Sequence, residues 1–239
     1  MSDFVNTTLF GIYPYIALVV LIVGTVVRYD REPYSWRSGS SQLLRRKQLV
    51  WGSVLFHVGV LVIFFGHLIG LLTPIAIFDM LGISHGAKQL LAIVAGGVAG
   101  IMAIVGATLL VHRRLFDARV RAASSNTDTL IIILLWLQLV LGLATIPVSL
   151  QHLDGHEMVK FMSWAQGIFT FNPDASDYVA DAAIIFKLHL TLGLTILLLF
   201  PFTRLVHMLS VPVRYLWRPG FQVVRERNRG HAATRTPAE

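Results

Sequence analysis

Cysteine is absent from the 239 residues. That excludes disulfides, thiolate ligation of a haem, covalent haem attachment through C-x-x-C-H, and cysteine-held iron–sulfur clusters within this chain. Charge is also scarce: 14% of residues are Asp, Glu, Lys or Arg, against about 25% in a soluble domain. A soluble protein of this length still needs a wetted surface, so the shortfall excludes an ordinary water-facing globule. Met1 to Phe10 holds no basic residue and no A-x-A-like site follows it. The first apolar stretch therefore reads as a retained anchor rather than a signal peptide. Runs such as Leu130–Leu135 lack the alternation of a barrel strand.

What is present is apolar sequence in blocks. Hydrophobic residues make up 55% of the chain, and mean hydropathy is +0.67. The blocks lie at roughly 9–27, 49–72, 90–111, 130–148 and 182–209, each long enough for a helix to cross ~30 Å of hydrocarbon. Lipid offers the backbone no partners, which favours helices here. The sequence predicts an all-α integral membrane protein, a five-helix transmembrane bundle over residues 1–215, followed by a basic tail at 216–239.

The net charge of +7 and pI near 10.1 do not point to nucleic acid, because the basic residues are sorted by loop. Sixteen lie in three segments that five spans would put on one side. These are Arg28 to Lys47, Arg113 to Arg121, and Arg214 to Arg235. The opposite side carries only Lys88 and Lys160. The positive-inside rule then places the N-terminus outside and the C-terminus in the cytoplasm. Anionic lipid or an acidic partner is a secondary use of the same charge.

Prolines punctuate the spans. The first is expected to begin at Tyr13-Pro14-Tyr15, the second to stop at Thr73-Pro74, and the third to run from Lys88 to His112-Arg113-Arg114. The fourth should end at Ile146-Pro147, and the fifth should be the longest, kinked at Pro201. Within the long connection before it, Glu157–Trp164 has the pattern of an amphipathic helix lying on the outer membrane face.

Nine histidines are present. His85, His152, His156 and His231 fall in loops or the tail and read as polar surface. His112 reads as a snorkelling residue at a helix C-terminus. The other four sit within apolar helices: His57 and His67 in the second, His189 and His207 in the fifth. Intramembrane ionisable groups are costly and usually functional, and two on each of two helices is more than helix–helix hydrogen bonding requires. Neutral imidazole can supply both axial donors of a haem without bringing charge into lipid. The two helices run in opposite directions, so like ends pair: His57 with His207 toward the cytoplasm, His67 with His189 toward the outside. The fit is uneven. Eighteen residues from His189 to His207 rise ~27 Å on one face of a straight helix, while ten from His57 to His67 rise only ~15 Å.

Gly52, Gly59 and Gly66 recur at seven-residue spacing, and Gly96, Gly97 and Gly100 lie in the third span. Room for a porphyrin and close helix packing explain them equally well. Arg204, Arg113, Arg114 and Lys187 are candidate partners for haem propionates, or anchors snorkelling to headgroups.

At these residues the chain resembles the gamma subunit of bacterial respiratory nitrate reductase, the membrane cytochrome b of that complex. The resemblance rests on Ile12-Tyr13-Pro14-Tyr15-Ile16, Leu55-Phe56-His57, Gly66-His67, Leu72-Thr73-Pro74, Arg113-Arg114-Leu115-Phe116, Thr145-Ile146-Pro147, Phe200-Pro201-Phe202 and Arg204-Leu205-Val206-His207. It covers about residues 10–225 and departs at Lys187, where arginine is expected. The resemblance implies two haem b groups on the four histidines, and menaquinol or ubiquinol oxidised near Lys88, with Gly66 letting the ring approach. It also implies electrons passed to an iron–sulfur beta subunit and a molybdenum-containing alpha subunit, in the bacterial inner membrane. From the residues alone, a related dihaem cytochrome b serving another reductase and a proton-relay transporter remain open.

Overall fold

The computed structural model describes residues 2–36 and 44–210, so the expected tail at 216–239 lies outside the described residues. Everything regular among them is helical. Five helices are long and apolar enough to cross a membrane.

The first span starts earlier than the proline suggests. Helix α1 (Asp3–Thr7) passes through a π-turn (Thr8–Ile12) into α2 (Tyr13–Arg31). Pro14 has no N–H for the carbonyl of Phe10, four residues back, and the wider π-turn absorbs that defect. The Trp164 indole N–H donates to the Phe10 carbonyl at 2.9 Å. A long-range partner thus lets the helix continue through a residue that ordinarily starts one.

The second span, α3 (Arg46–Leu72), ends at Thr73-Pro74 as the sequence predicts, and short α4 (Ile75–Met80) follows. Ser84 then accepts the Ala87 N–H at 3.2 Å and caps α5 (His85–Phe116). Asp117 caps α6 (Ala118–Ala122) through the N–H groups of Arg119 and Val120. Ser125 caps α7 (Asn126–Ser149), which carries Pro147 in its last turn and so runs slightly past the expected end.

Helix α8 (His156–Phe169) lies where an amphipathic helix is expected, but it is longer and faces protein. Trp164, Ala165 and Ile168 are buried in one apolar cluster with Phe10, Ala17, Ala175 and Val179. Its apolar stripe therefore packs onto the bundle rather than into lipid.

The fifth span differs most. Helix α9 (Ile184–Leu199) is only 16 residues long, whereas α5, at 32 residues, is the longest helix. Beyond Leu199 the chain tightens into 3-10 turns at Phe200–Phe202 and Arg204–Ser210, separated by extended Thr203 at φ −122°, ψ 179°. Pro201 lacks the N–H that an α-helix would give to the Leu197 carbonyl. What the sequence predicts as a kink is a full break.

The well-packed long pairs are α3–α5, α5–α7, α7–α9 and α9–α2. Helices α3 and α9 are not among them, although His67 of α3 faces His189 of α9. Arg28, Arg45, Arg113, Arg114 and Arg204 share one end of the bundle, the basic end, through common contacts. Lys88 and α8 share the other.

Candidate functional site

The four membrane histidines come together as two pairs. The ring centroids of His57 and His207 are 6.3 Å apart, and those of His67 and His189 are also 6.3 Å apart. Two imidazole nitrogens about 2 Å from one shared metal, in rings whose centres lie about 1 Å further back, put the centroids roughly 6 Å apart. Both pairs fit axial ligation of one iron each. Among the described residues no group of three or more His, Cys, Asp or Glu could hold a metal ion. Each pair offers two donors, the number that an iron already held by a porphyrin asks of a protein.

The second nitrogen of each ring explains its orientation. His57 Nδ1 lies 2.7 Å from the Ser53 carbonyl, His67 Nδ1 2.9 Å from the Ile63 carbonyl, and His207 Nδ1 2.5 Å from the Arg204 carbonyl. A carbonyl only accepts, so Nδ1 carries the proton in all three and Nε2 keeps its lone pair. A metal-binding histidine is ordinarily fixed by this kind of outer contact. His189 is held differently. The Gln138 amide donates to its backbone carbonyl at 3.1 Å and stands 3.5 Å from its Nε2. The ring rests on Gly142, where a Cβ would come within 3.0 Å of Cε1.

The uneven histidine spacing is resolved by the break. His57 and His67 share the continuous helix α3, so their rise is fixed at ~15 Å. His189 and His207 do not share a helix, because α9 stops at Leu199. The chain leaves the α9 axis before it reaches His207, which removes the ~27 Å that a straight helix would impose.

Lys88 lies in the first turn of α5, where the sequence puts it, but is buried against protein at 7% exposure. Its Nζ donates to the Gly70 carbonyl at 2.8 Å, touches Met162 Sδ at 2.8 Å and stands 3.6 Å above the Phe78 ring. No carboxylate pairs with it among its described contacts. Gly70 is one turn from Gly66 on α3, so Lys88 reaches the same end of that helix as His67. A Cβ at Gly66 would meet nothing within 4 Å, whereas Gly59 packs so tightly on α5 that a Cβ would lie 2.5 Å from the Ala99 carbonyl oxygen. The glycine series therefore divides: Gly52 and Gly59 serve helix packing, and Gly66 faces open space.

The propionate candidates already have protein partners. Arg204 and Arg114 both contact the Asp128 carboxylate, at 3.4 Å and 3.6 Å. Arg113 donates to the Leu44 carbonyl at 2.7 Å. Lys187 is buried and donates to the Ala180 carbonyl at 2.6 Å. Three residues at the site go beyond the sequence reading. The signal for Gln138 is a lone amide in an apolar run. Asp128 was the acid nearest the start of the fourth span. Arg28 was hidden among loop arginines.

The chain matches the nitrate reductase gamma subunit family over residues 6–227. It is 49% identical over 226 residues to respiratory nitrate reductase 1 gamma chain of Escherichia coli (strain K12), covering 95% of this chain and all of that one. With respiratory nitrate reductase 2 gamma chain of the same organism it shares 47% identity over 227 residues, 95% of this chain and all of the relative. With nitrate reductase gamma chain of Bacillus subtilis (strain 168) it shares 39% over 220 residues, 92% and 98% of the two chains. Matches that run nearly end to end through both histidine-bearing helices leave one assignment: the chain belongs to the nitrate reductase gamma subunit family.

Proposed function

We propose that this protein is the quinol-oxidising membrane subunit of a respiratory nitrate reductase, with two b-type haems held by His57–His207 and His67–His189. The observation that carries the reading is the pair of equal 6.3 Å histidine separations, with Nδ1 tied to a carbonyl in three of the four rings. Haem iron held this way supplies one-electron steps between quinol and a partner iron–sulfur subunit, and through it a molybdenum-containing subunit that reduces nitrate. The sorting of basic residues supports an N-terminus on the periplasmic side of the inner membrane and a cytoplasmic C-terminus. Quinol, menaquinol or ubiquinol, then docks beside Gly66 and Lys88, near the His67–His189 pair. Lys88 has three N–H groups, and two of its partners, the Met162 thioether and the Phe78 ring, are weak acceptors. A quinol oxygen is a better partner than either. Lys88 thus binds and orients the quinol and stabilises its oxygen as the proton leaves. Arg113, Arg114 and Arg204 give the basic end the charge to meet propionates or an acidic partner surface.

An absorption spectrum of the purified protein is the direct test. A reducible b-type spectrum with two components is expected, and His67→Ala should remove one while leaving the other. Absence of haem from the native protein would sink the reading and favour a proton-relay transporter. Unchanged haem content in His67→Ala would sink the ligand assignment.

A further inference from the structure

His207 sits beyond a helix break, and a residue from another span holds that break. We propose that Arg28 is a positioning residue for His207, acting through backbone carbonyls rather than by touching the ring. This rests on the haem reading for its consequence, and on geometry for its mechanism.

A break at buried residues such as Pro201 and Thr203 leaves carbonyls that need donors, since water does not reach them. In a continuous helix the Pro201 carbonyl would take the Leu205 N–H. Here Leu205 N–H donates instead to Thr203 Oγ1 at 3.3 Å. Arg28 fills the place: its Nη1 donates to the Pro201 carbonyl at 2.7 Å and to the Thr203 carbonyl at 2.8 Å. The rest of the guanidinium is fixed by Ser35, through Nη2 to the carbonyl at 2.9 Å and Nε to Oγ at 3.1 Å. Nη1 alone serves both freed carbonyls while Nη2 and Nε hold Ser35. A lysine's ammonium could reach the carbonyls but not keep the Ser35 contacts that fix its position. Gly24, one turn earlier on α2, lets the helix close on the break, because a Cβ there would lie 2.8 Å from Pro201 Cγ.

From Thr203 the path to the ligand is short. Arg204 is held against α7 by Asp128, and its carbonyl accepts the His207 Nδ1 proton. Leu205 and Val206 are buried against Ile131 of α7. The backbone that sets the His207 ring is therefore gripped from α2 by Arg28 and from α7 by Asp128. This grip brings His207 level with His57, whose height on α3 is fixed.

The test uses the full chain, purified apart from its partner subunits. Because the chain lacks cysteine, spin labels can be added at chosen exposed sites. Trp51 with Leu209 reports the basic-end histidine pair, and Leu68 with Leu188 reports the other. Arg28→Gln should shift or broaden the first distance distribution and leave the second unchanged. The His57–His207 haem should lose affinity by roughly ten- to a hundredfold, or change its potential, with the other haem retained. Arg28→Lys should fall between, and Arg31→Gln, which removes a neighbouring exposed charge, should change neither. An unchanged first distance in Arg28→Gln overturns the proposal, and so does an equal shift of both distances. A native chain without haem would overturn the haem reading instead, with the distances still deciding whether Arg28 holds the break.

Discussion

Lys88 and Gly66 stand one turn apart in their reach along α3 and do opposite things: one supplies a charge, the other withholds a side chain. The position of Lys88 at the start of the third span was legible in the sequence, and its burial against protein was not. Its partner Met162 is 74 residues away, and no local pattern announces that α8 folds over it. By its spacing Gly66 was one of three equivalent glycines, and the resemblance alone set it apart; packing now separates it from the other two. A buried lysine whose contacts are a carbonyl, a thioether and an aromatic face keeps N–H donors for a partner that accepts more strongly. Removing one such donor to a developing oxyanion typically costs about 10²–10³ in turnover. We expect Lys88→Met to slow quinol-dependent haem reduction on that order while the haem spectrum and content stay native. Gly66→Leu should give the same split by steric exclusion, since its side chain would enter the space beside His67. Stopped-flow reduction with a quinol analogue measures both, and native rates in both variants would remove these residues from the quinol site.

At the scale of elements, α3 and α5 form a close pair because glycines remove side chains where the backbones meet. A Cβ at Gly59 would lie 2.7 Å from the Ala103 nitrogen as well as close to the Ala99 carbonyl, and one at Gly66 would touch nothing. Backbone cannot yield as a flexible side chain can, so Gly59→Ala should cost about 1–3 kcal/mol through overpacking. Gly66→Ala should be neutral, or gain up to about 1 kcal/mol from helix propensity. Thermal unfolding of the purified complex distinguishes the two, and equal midpoints would refute the division of roles. The five spans themselves were readable from hydropathy, and the stop at Thr73-Pro74 from its proline. Proline was a poorer guide elsewhere. Pro14 opens α2 but does not begin the span, because Trp164 satisfies the carbonyl it frees. Pro201 breaks one outright, because Arg28 satisfies the carbonyls that follow. In each case the deciding donor comes from a distant span, and a local reading of the chain has no access to it. Pro201 itself announced a kink, and the histidine spacing mismatch was the sign that the departure from a straight helix is larger.

Across the whole molecule the two ends are held by different means. The basic end relies on arginine forks to carbonyls and on Asp128. The other end is closed by the connection between α7 and α9, folded back as a cap. Asn6 Nδ2 donates to the Ser176 carbonyl at 2.9 Å, and Gln166 donates to the carbonyls of Leu71 and Thr73 at 3.0 Å each. Lys160 then ties α8 to the entry of α9, contacting Glu157 at 3.0 Å and Asp181 at 2.8 Å. The hydrogen bond from Lys160 lowers the Asp181 carboxyl below its usual range, and the bond to Asp181 raises the Lys160 ammonium above its own. For Asp181 the stabilisation is present above the unfolded carboxylate pKa and is lost as pH falls through the lower folded value. For Lys160 it is present below the unfolded ammonium pKa and is lost as pH rises through the higher folded one. Between these limits the tie is intact, and because Asp181 is largely exposed it should weaken with salt. The cap covers Lys88 through Met162, so loosening it at acid pH exposes the proposed quinol site before it disturbs the spans. Hydrogen exchange should therefore quicken over residues 156–183 as pH falls through the carboxylate range, after correction for intrinsic rates, with α3 and α5 unchanged. Asp181→Asn should show the loosened pattern already at neutral pH and little further change on acidification. A variant that exchanged like the native chain at neutral pH would reduce the triad to a surface contact and leave the cap held by its buried bonds alone.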